Sequence, residues 1–173
     1  ANGDIQFGDG RTWTRSRMGG SALSALIDAS EDSLPVSGST WLKKIVHPTS
    51  GEVAMARRKP PSEMQGINAL LMREVSSLGM LCHPNVVDLY ACEPRSGSLV
   101  YELLPYDVRS LVIRLKLKRS RISLPSMRSI LNQTLRAVDH LHSRGVLHRR
   151  VKTSSMRFDL PSGRCKLTNF EYS

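Results

Sequence analysis

Hydrophobic and polar positions change their period several times along the chain, and each change marks an element. From Leu34 onward, short stretches rich in β-branched, aromatic and apolar residues appear. Thr40-Trp41-Leu42 runs into Lys43 to Val46, and a second strand-like stretch covers Glu52 to Arg57. Pro48-Thr49-Ser50-Gly51 lies between them with turn chemistry, so the two stretches are expected to form a hairpin. Pro60-Pro61 ends the second strand, because proline has no N–H to give to a ladder. Ile67, Leu70, Leu71, Val75 and Leu78 then recur at spacings of three and four, which predicts a helix over Ile67 to Met80. His83-Pro84-Asn85 breaks that period. Val86 to Ala91 and Ser98 to Leu104 read as an antiparallel pair joined by the polar turn Glu93 to Gly97. A long helix follows from about Pro125, which suits a first turn, to Arg144, with Gly145 as its stop. Its expected buried stripe is Met127, Ile130, Leu131, Leu135, Val138 and Leu141.

Residues 1–33 show no such period. They are rich in Gly, Ser and Asp, with Gly19-Gly20 in the middle, and are expected to be a docking or flexible extension without its own core. A short amphipathic piece, Ala22 to Ile27, is a candidate docking helix there, with Trp13 as a candidate anchor. The 173 residues suffice for one domain or most of one. No internal repeat interrupts them.

Charge changes the picture more than composition does. The formal charge is +10, but Arg109 to Arg157 holds 13 Lys or Arg and a single acid, Asp139, a net +12 against −2 for the rest. Such a block suits an acidic protein surface or nucleic acid, and basic surfaces of this kind also occur simply solvated. The three cysteines, Cys82, Cys92 and Cys165, have no Cys-x-x-Cys spacing and read as small apolar residues in a reducing, intracellular setting, nucleus or cytoplasm, an organelle remaining open. No run of 18 apolar residues suggests a membrane span. The histidines His47, His83, His140, His142 and His148 do not combine with the cysteines at zinc-ligand spacing. Neither a Gly-x-Ser-x-Gly elbow nor a Walker-type loop is present.

The most informative residues come late. Val146-Leu147-His148-Arg149-Arg150-Val151-Lys152 precedes Lys166-Leu167-Thr168-Asn169-Phe170-Glu171. Together with the element order they resemble a protein kinase, and within that family the cyclin-dependent kinase branch. The resemblance covers about residues 34–173. Ser50-Gly51-Glu52-Val53 looks like the turn into the third strand. Gln65 to Glu74 looks like the cyclin-binding helix, of whose signature only Arg73-Glu74 remains. His83-Pro84-Asn85-Val86-Val87, Leu99 to Leu104 and His140-Leu141-His142 follow in family order.

What the resemblance implies is a kinase-like α+β fold: a β-rich N-lobe with one helix over residues 34–104, then hinge, first helices and catalytic-loop region of an incomplete C-lobe over 105–173. It also exposes departures. The catalytic Asp position holds Arg150, the metal-binding Asn position Ser155, the metal-binding Asp position Asn169, and the following Gly position Glu171. The phosphate-binding lysine position falls on Arg57 by one count and on Ala56 by another. Gly38 is the one glycine between Leu34 and Trp41, where phosphate-covering loops use several. Met55 fills the place of a small residue above the adenine, Arg157 that of an apolar residue below it, and Tyr101 narrows the back. Positions with packing roles persist: Glu74, Leu78, Leu89, His148 and Phe170. Arg57 is a candidate partner for Glu74.

Kinase chemistry needs carboxylates to hold magnesium and to take the substrate's proton. The expectation is therefore a catalytically inactive kinase-like scaffold or protein-binding subunit of a larger complex, with no cofactor and no metal. Its partner is expected to be a cyclin-like or other helical protein. Candidate partner-binding residues are Ile67, Leu70, Leu71 and Arg73 on the helix, and Arg114, Lys116, Lys118, Arg119 and Arg121 in the basic block. Two alternatives stand beside it: a structural subunit of an RNA-containing assembly, and an unorthodox kinase using Asp159 or Glu171. The uncovered apolar side of the Pro125 to Arg144 helix implies either that the chain continues past Ser173 or that a partner covers it.

Overall fold

The computed structural model of the chain describes residues 5–6, 12–13, 41–46, 53–58, 69–93, 98–159 and 162–173. The expected docking helix at Ala22 to Ile27, the turn at Pro48 to Gly51, residues 94–97 of the turn Glu93 to Gly97, Gly38, Pro60-Pro61 and Ile67 lie outside these residues. The described residues divide between two compact units, residues 1–68 with 88–103, and residues 69–87 with 104–173.

The first unit holds two sheets. In the N-terminal region β1 (Ile5–Gln6) pairs antiparallel with β2 (Thr12–Trp13), so the extension carries a short hairpin that its composition did not announce. The main sheet is antiparallel with strand order β3 (Trp41–Val46), β4 (Val53–Arg58), β6 (Ser98–Glu102), β5 (Leu89–Glu93). Both expected strand pairs are present: Trp41 faces Arg58 and Val46 faces Val53, while Glu93 faces Ser98. β4 lies in the middle and is buried on both faces at Ala54, Met55, Ala56 and Arg57. Small residues at 54 and 56 let Val100, Tyr90 and Ala91 pack against it. The pairing of β5 with β6 shifts register between Leu89 and Ala91, a bulge that re-aims the side chains on either side.

The second unit is built on a small sheet, β7 (Tyr106–Asp107), β8 (Met156–Phe158) and β9 (Cys165–Leu167). Three helices accompany it: α1 (Ala69–Met80), α2 (Val108–Leu117) and α3 (Leu124–Ser143). α1 is described from Ala69, Ile67 lying outside the described residues, and ends where the period ends. Asp107 caps α2, accepting from the Ser110 N–H at 2.8 Å, and Ser123 caps α3, accepting from Ser126. α3 ends at Ser143 with Arg144 as its cap, followed by Gly145 with φ of +70°, a conformation that suits glycine. The apolar pattern assigned no element to residues 108–117. Val108 and Leu111 face the β8–β9 hairpin while Ile113 and Leu117 face water, so apolar residues occur all round α2 and the period is hidden.

α3 buries part of the expected stripe and leaves the rest uncovered, as the sequence reading of its apolar side implied. Thr134, Ala137 and Leu141 are buried and Ile130 packs against Phe158 and Cys165, whereas Met127, Leu131 and Leu135 are exposed. The small residues Thr134 and Ala137 allow close approach to β9, and Thr134 hides its hydroxyl on the Ile130 carbonyl at 2.8 Å. The apolar stripe is thus wider than the contact, and its outer edge remains in solvent.

A polar junction that periodicity cannot reveal fastens α3 to the hairpin. Gln133 Oε1 accepts from the Cys165 N–H at 2.7 Å and from Asn85 Nδ2 at 2.9 Å, and Gln133 Nε2 donates to the Gly163 carbonyl at 3.0 Å. Asn85 Nδ2 also donates to the Cys165 carbonyl at 2.9 Å. Removing Gln133 strands several of these groups, and an unmet buried donor costs about 1 to 3 kcal/mol. Gln133→Ala is expected to lower unfolding free energy by about that amount, against less than about 0.5 kcal/mol for the exposed neighbour Asn132→Ala, measured by urea denaturation. Equal effects of the two substitutions would show that the junction contributes nothing.

Candidate functional site

Arg150, Ser155, Asn169, Glu171, His148 and Phe170 come together in the second unit. They sit on the segment after α3, on the short 3-10 turn Thr153–Ser155, and on the 3-10 turn Phe170–Tyr172 after β9. Thr168 links the two turns: its N–H donates to the Ser155 carbonyl at 2.8 Å, and its hydroxyl donates there at 3.2 Å. Ser155 is fully buried and its hydroxyl donates to the Arg150 carbonyl at 3.0 Å. Asn169 adopts a left-handed conformation, φ 68° and ψ 59°, which Asn tolerates better than most residues. Its Nδ2 donates to the Ser154 carbonyl at 3.3 Å.

Arg150 turns toward the end of the chain. Its guanidinium meets Glu171 Oε1 at 3.2 Å and lies 4.5 Å from the centre of the Tyr172 ring. The pair is part-exposed, 41% for Arg150 and 19% for Glu171, so its Coulomb energy is screened and worth about 0 to 1 kcal/mol. The ring contact adds an increment of similar size. Tyr172 had no assigned role in the sequence; its signal was an aromatic side chain directly after the acid facing Arg150. Ser77 on α1 and Ser173 share a hydroxyl hydrogen bond of 2.6 Å, which ties the last turn to the helix.

His148 and Phe170 are buried and meet edge to face with centroids 4.8 Å apart. His148 Nδ1 accepts from the Arg150 N–H at 3.2 Å, and its Nε2 is 2.9 Å from the Thr168 carbonyl. Those partners fit a neutral ring carrying its proton on Nε2. A second proton on Nδ1 would face an N–H, and burial already pulls the His148 pKa below its ordinary value. Glu74 and Leu78 are buried on α1. Leu71, expected to face a partner, is 5% exposed and so is not presented to solvent; Met72, Arg73 and Met80 are the large side chains that the helix exposes.

In the first unit, Arg57 is buried on β4 with its guanidinium 5.7 Å from the Tyr101 ring centre. Ala56, the other candidate for the lysine position, is fully buried, and Met55 pairs with Tyr101 across the sheet. Leu89 opens β5. Arg157, in the second unit, is 5% exposed and has backbone in place of water: Nε donates to the Leu104 carbonyl at 2.7 Å and an Nη to that of Pro105 at 3.3 Å. Burial lowers its pKa, and the charge of Asp107 opposes that shift. Arg114, Lys116, Lys118, Arg119 and Arg121 are all exposed. Among the described residues there is no group of three His, Cys, Asp or Glu side chains able to hold a metal, and no helix long and apolar enough to cross a membrane.

The histidine geometry has a pH consequence. A folded-state pKa below the unfolded value means that the unfolded chain binds the proton more tightly, so stability is complete above the ordinary value of 6.5 and is lost as pH falls from there through the lower folded value. His83, also shifted down by burial and by its stacked neighbour His140, acts in the same direction. The urea midpoint is expected to fall between neutral and mildly acidic pH, and His148→Phe is expected to flatten that fall. An unchanged slope in the variant would assign the proton elsewhere.

Comparison with known proteins matches this arrangement. The protein kinase domain family matches residues 38–173. The chain is 30% identical over 112 residues to the serine/threonine-protein kinase PITSLRE of Drosophila melanogaster, covering 62% of this chain and 12% of that protein. It is 33% identical over 112 residues to the probable cyclin-dependent kinase 10 of Dictyostelium discoideum, covering 62% of this chain and 30% of that protein. Against the cyclin-dependent kinase D-1 of Arabidopsis thaliana it is 27% identical over 120 residues, 68% of this chain and 29% of that protein. The chain thus spans less than a third of the length of each of these relatives. With an α+β architecture, the ordered motifs from Ser50 to Glu171 and a family match over most of its length, the chain belongs to the protein kinase domain family, near the cyclin-dependent kinases.

Proposed function

We propose that this chain is a catalytically inactive member of the family that acts by binding other proteins. The observation that carries the reading is Arg150, a guanidinium at the family's catalytic-acid position, engaged with Glu171 and Tyr172. A base that accepts a hydroxyl proton must be a carboxylate or similar group, and Arg cannot be deprotonated under physiological conditions. The relatives are named as kinases, and kinase chemistry in this family proceeds on magnesium held by an Asp and an Asn.

The donor set here does not fit that ion. Magnesium wants hard, anionic oxygens in near-octahedral array. Ser155 spends its hydroxyl proton on the Arg150 carbonyl, and Asn169 offers one neutral amide oxygen. The acids proposed for an unorthodox mechanism have other engagements. Asp159 accepts from the Ser162 hydroxyl at 2.6 Å and its N–H at 3.2 Å, and Glu171 faces a cation. Arg157 takes the Leu104 and Pro105 carbonyls, which supports the expectation that an uncharged base is not welcome beside it.

What remains for function is surface. The exposed side of α1, with Met72, Arg73 and Met80, is one candidate face for a helical, cyclin-like partner, and the basic residues of 109–121 are another. Adding ATP with magnesium is expected to leave the melting temperature unchanged, and labelled phosphate is not expected to reach a generic substrate. Saturable stabilisation, or phosphate incorporation lost on Glu171→Gln, would overturn the reading. Arg150→Ala is expected to cost about 1 kcal/mol or less in urea denaturation, because its ion pair is screened and the cation–π contact modest. A cost several times larger would make the Arg150 cluster a structural keystone instead.

A further inference from the structure

We propose that the outer face of α2 and the loop after it form a docking surface for an acidic, amphipathic helix of a protein partner. This deepens the reading of the chain as a binding protein and rests on it.

α2 spends its inner face on the fold. Val108 joins the cluster with Phe158 and Cys165, and Leu111 packs against that cluster. Ile113 and Leu117, four residues apart and therefore on one side of the helix, point the other way and are 48% and 80% exposed. Exposed Arg114 and Lys116 interleave with these two positions in sequence, and exposed Lys118, Arg119 and Arg121 follow in the loop. No Asp or Glu occurs between Val108 and Val138. The surface therefore joins aliphatic anchors to a continuous positive field.

Each half of that description selects the occupant. The field favours an acidic segment and disfavours a second copy of this chain, which would bring the same positive face. Nucleic acid would satisfy the charge but not the anchors. Base recognition uses aromatic platforms, and Val108 to Arg157 contains no Phe, Tyr or Trp. A Leu or Ile stripe flanked by Glu and Asp satisfies both, in the helix-on-groove manner of peptide recognition.

The backbone after α2 points the same way. The Ser120 N–H reaches the Leu115 carbonyl at 2.8 Å and the Arg119 N–H reaches that of Lys116 at 3.0 Å, closing the helix through a left-handed residue. That residue is Arg119, φ 52°, where glycine is the unstrained choice. The fold therefore holds a cation at a position where Gly would stabilise the helix end.

The test uses the full chain and a fluorescein-labelled helical peptide with Leu at alternate three- and four-residue spacings and Glu between them, followed by anisotropy. Saturable binding is expected. Leu117→Ser is expected to weaken it by about tenfold, and the pair Arg114→Glu with Lys118→Glu by at least as much while flattening its salt dependence. Arg119→Gly is expected to bind more weakly yet melt no lower than the parent, which separates docking from folding. No binding, equal binding of a peptide whose Leu residues are replaced by Ser, or full displacement by poly-uridine RNA would each overturn the proposal, the last in favour of an RNA surface. Melting with ATP and magnesium on the same preparation reads the catalytic question independently, so a failed peptide experiment leaves that reading standing.

Discussion

Leu167 gives its backbone to two chain segments at once. Its N–H donates to the Asn85 carbonyl at 2.8 Å, its carbonyl accepts from the Val87 N–H at 3.0 Å, and it also faces Met156 in the hairpin. Several parts of the second unit are fastened to this strand. α3 reaches it through Gln133 and Ile130, α2 through Leu111 and Val108, and the turn of Thr153 to Ser155 through Thr168. Because buried backbone groups must be paired, this saturation fixes where the residues on either side of β9 emerge. Asn169, Phe170 and Glu171 follow Leu167 by only a few bonds, so the hairpin positions them.

The fastening is built from backbone and packing rather than from charged side chains. His148 and Phe170 need only burial and two hydrogen bonds to stay in place. Neither contact depends on a carboxylate at position 150 or 169. Arg150 and Glu171 then find each other at the surface of the same frame, at little energetic consequence. The packing of His148 against Phe170 therefore does not rest on the part-exposed pair of Arg150 and Glu171.

The main strands and the helices α1 and α3 were legible from their apolar patterns and the turn residues between them. Trp41 to Val46, Val53 to Arg58 and Ala69 to Met80 lie within a residue or two of their expected bounds. Motif order singled out Arg150, Ser155, Asn169 and Glu171; the first two lie on the segment before β8 and the other two directly after β9. What stayed hidden has physical causes. α2 buries one apolar face and exposes another, so its period cancels. On α3, Leu131 and Leu135 looked like core while Thr134 and Ala137 did the packing, because close approach favours small residues over hydrophobic ones. Gln133 and Tyr172 act through single directional contacts, which leave no periodic trace.

The central claim is that Asn169 and Ser155 do not hold a metal–nucleotide complex. Paramagnetic broadening reads this at the atoms concerned: manganese with ATP is titrated into isotope-labelled protein and the amide signals are followed. The account predicts that the amides of Arg150, Ser155 and Asn169 broaden no more than those of distant surface residues. Selective, saturable broadening at Asn169 and Ser155 would contradict it.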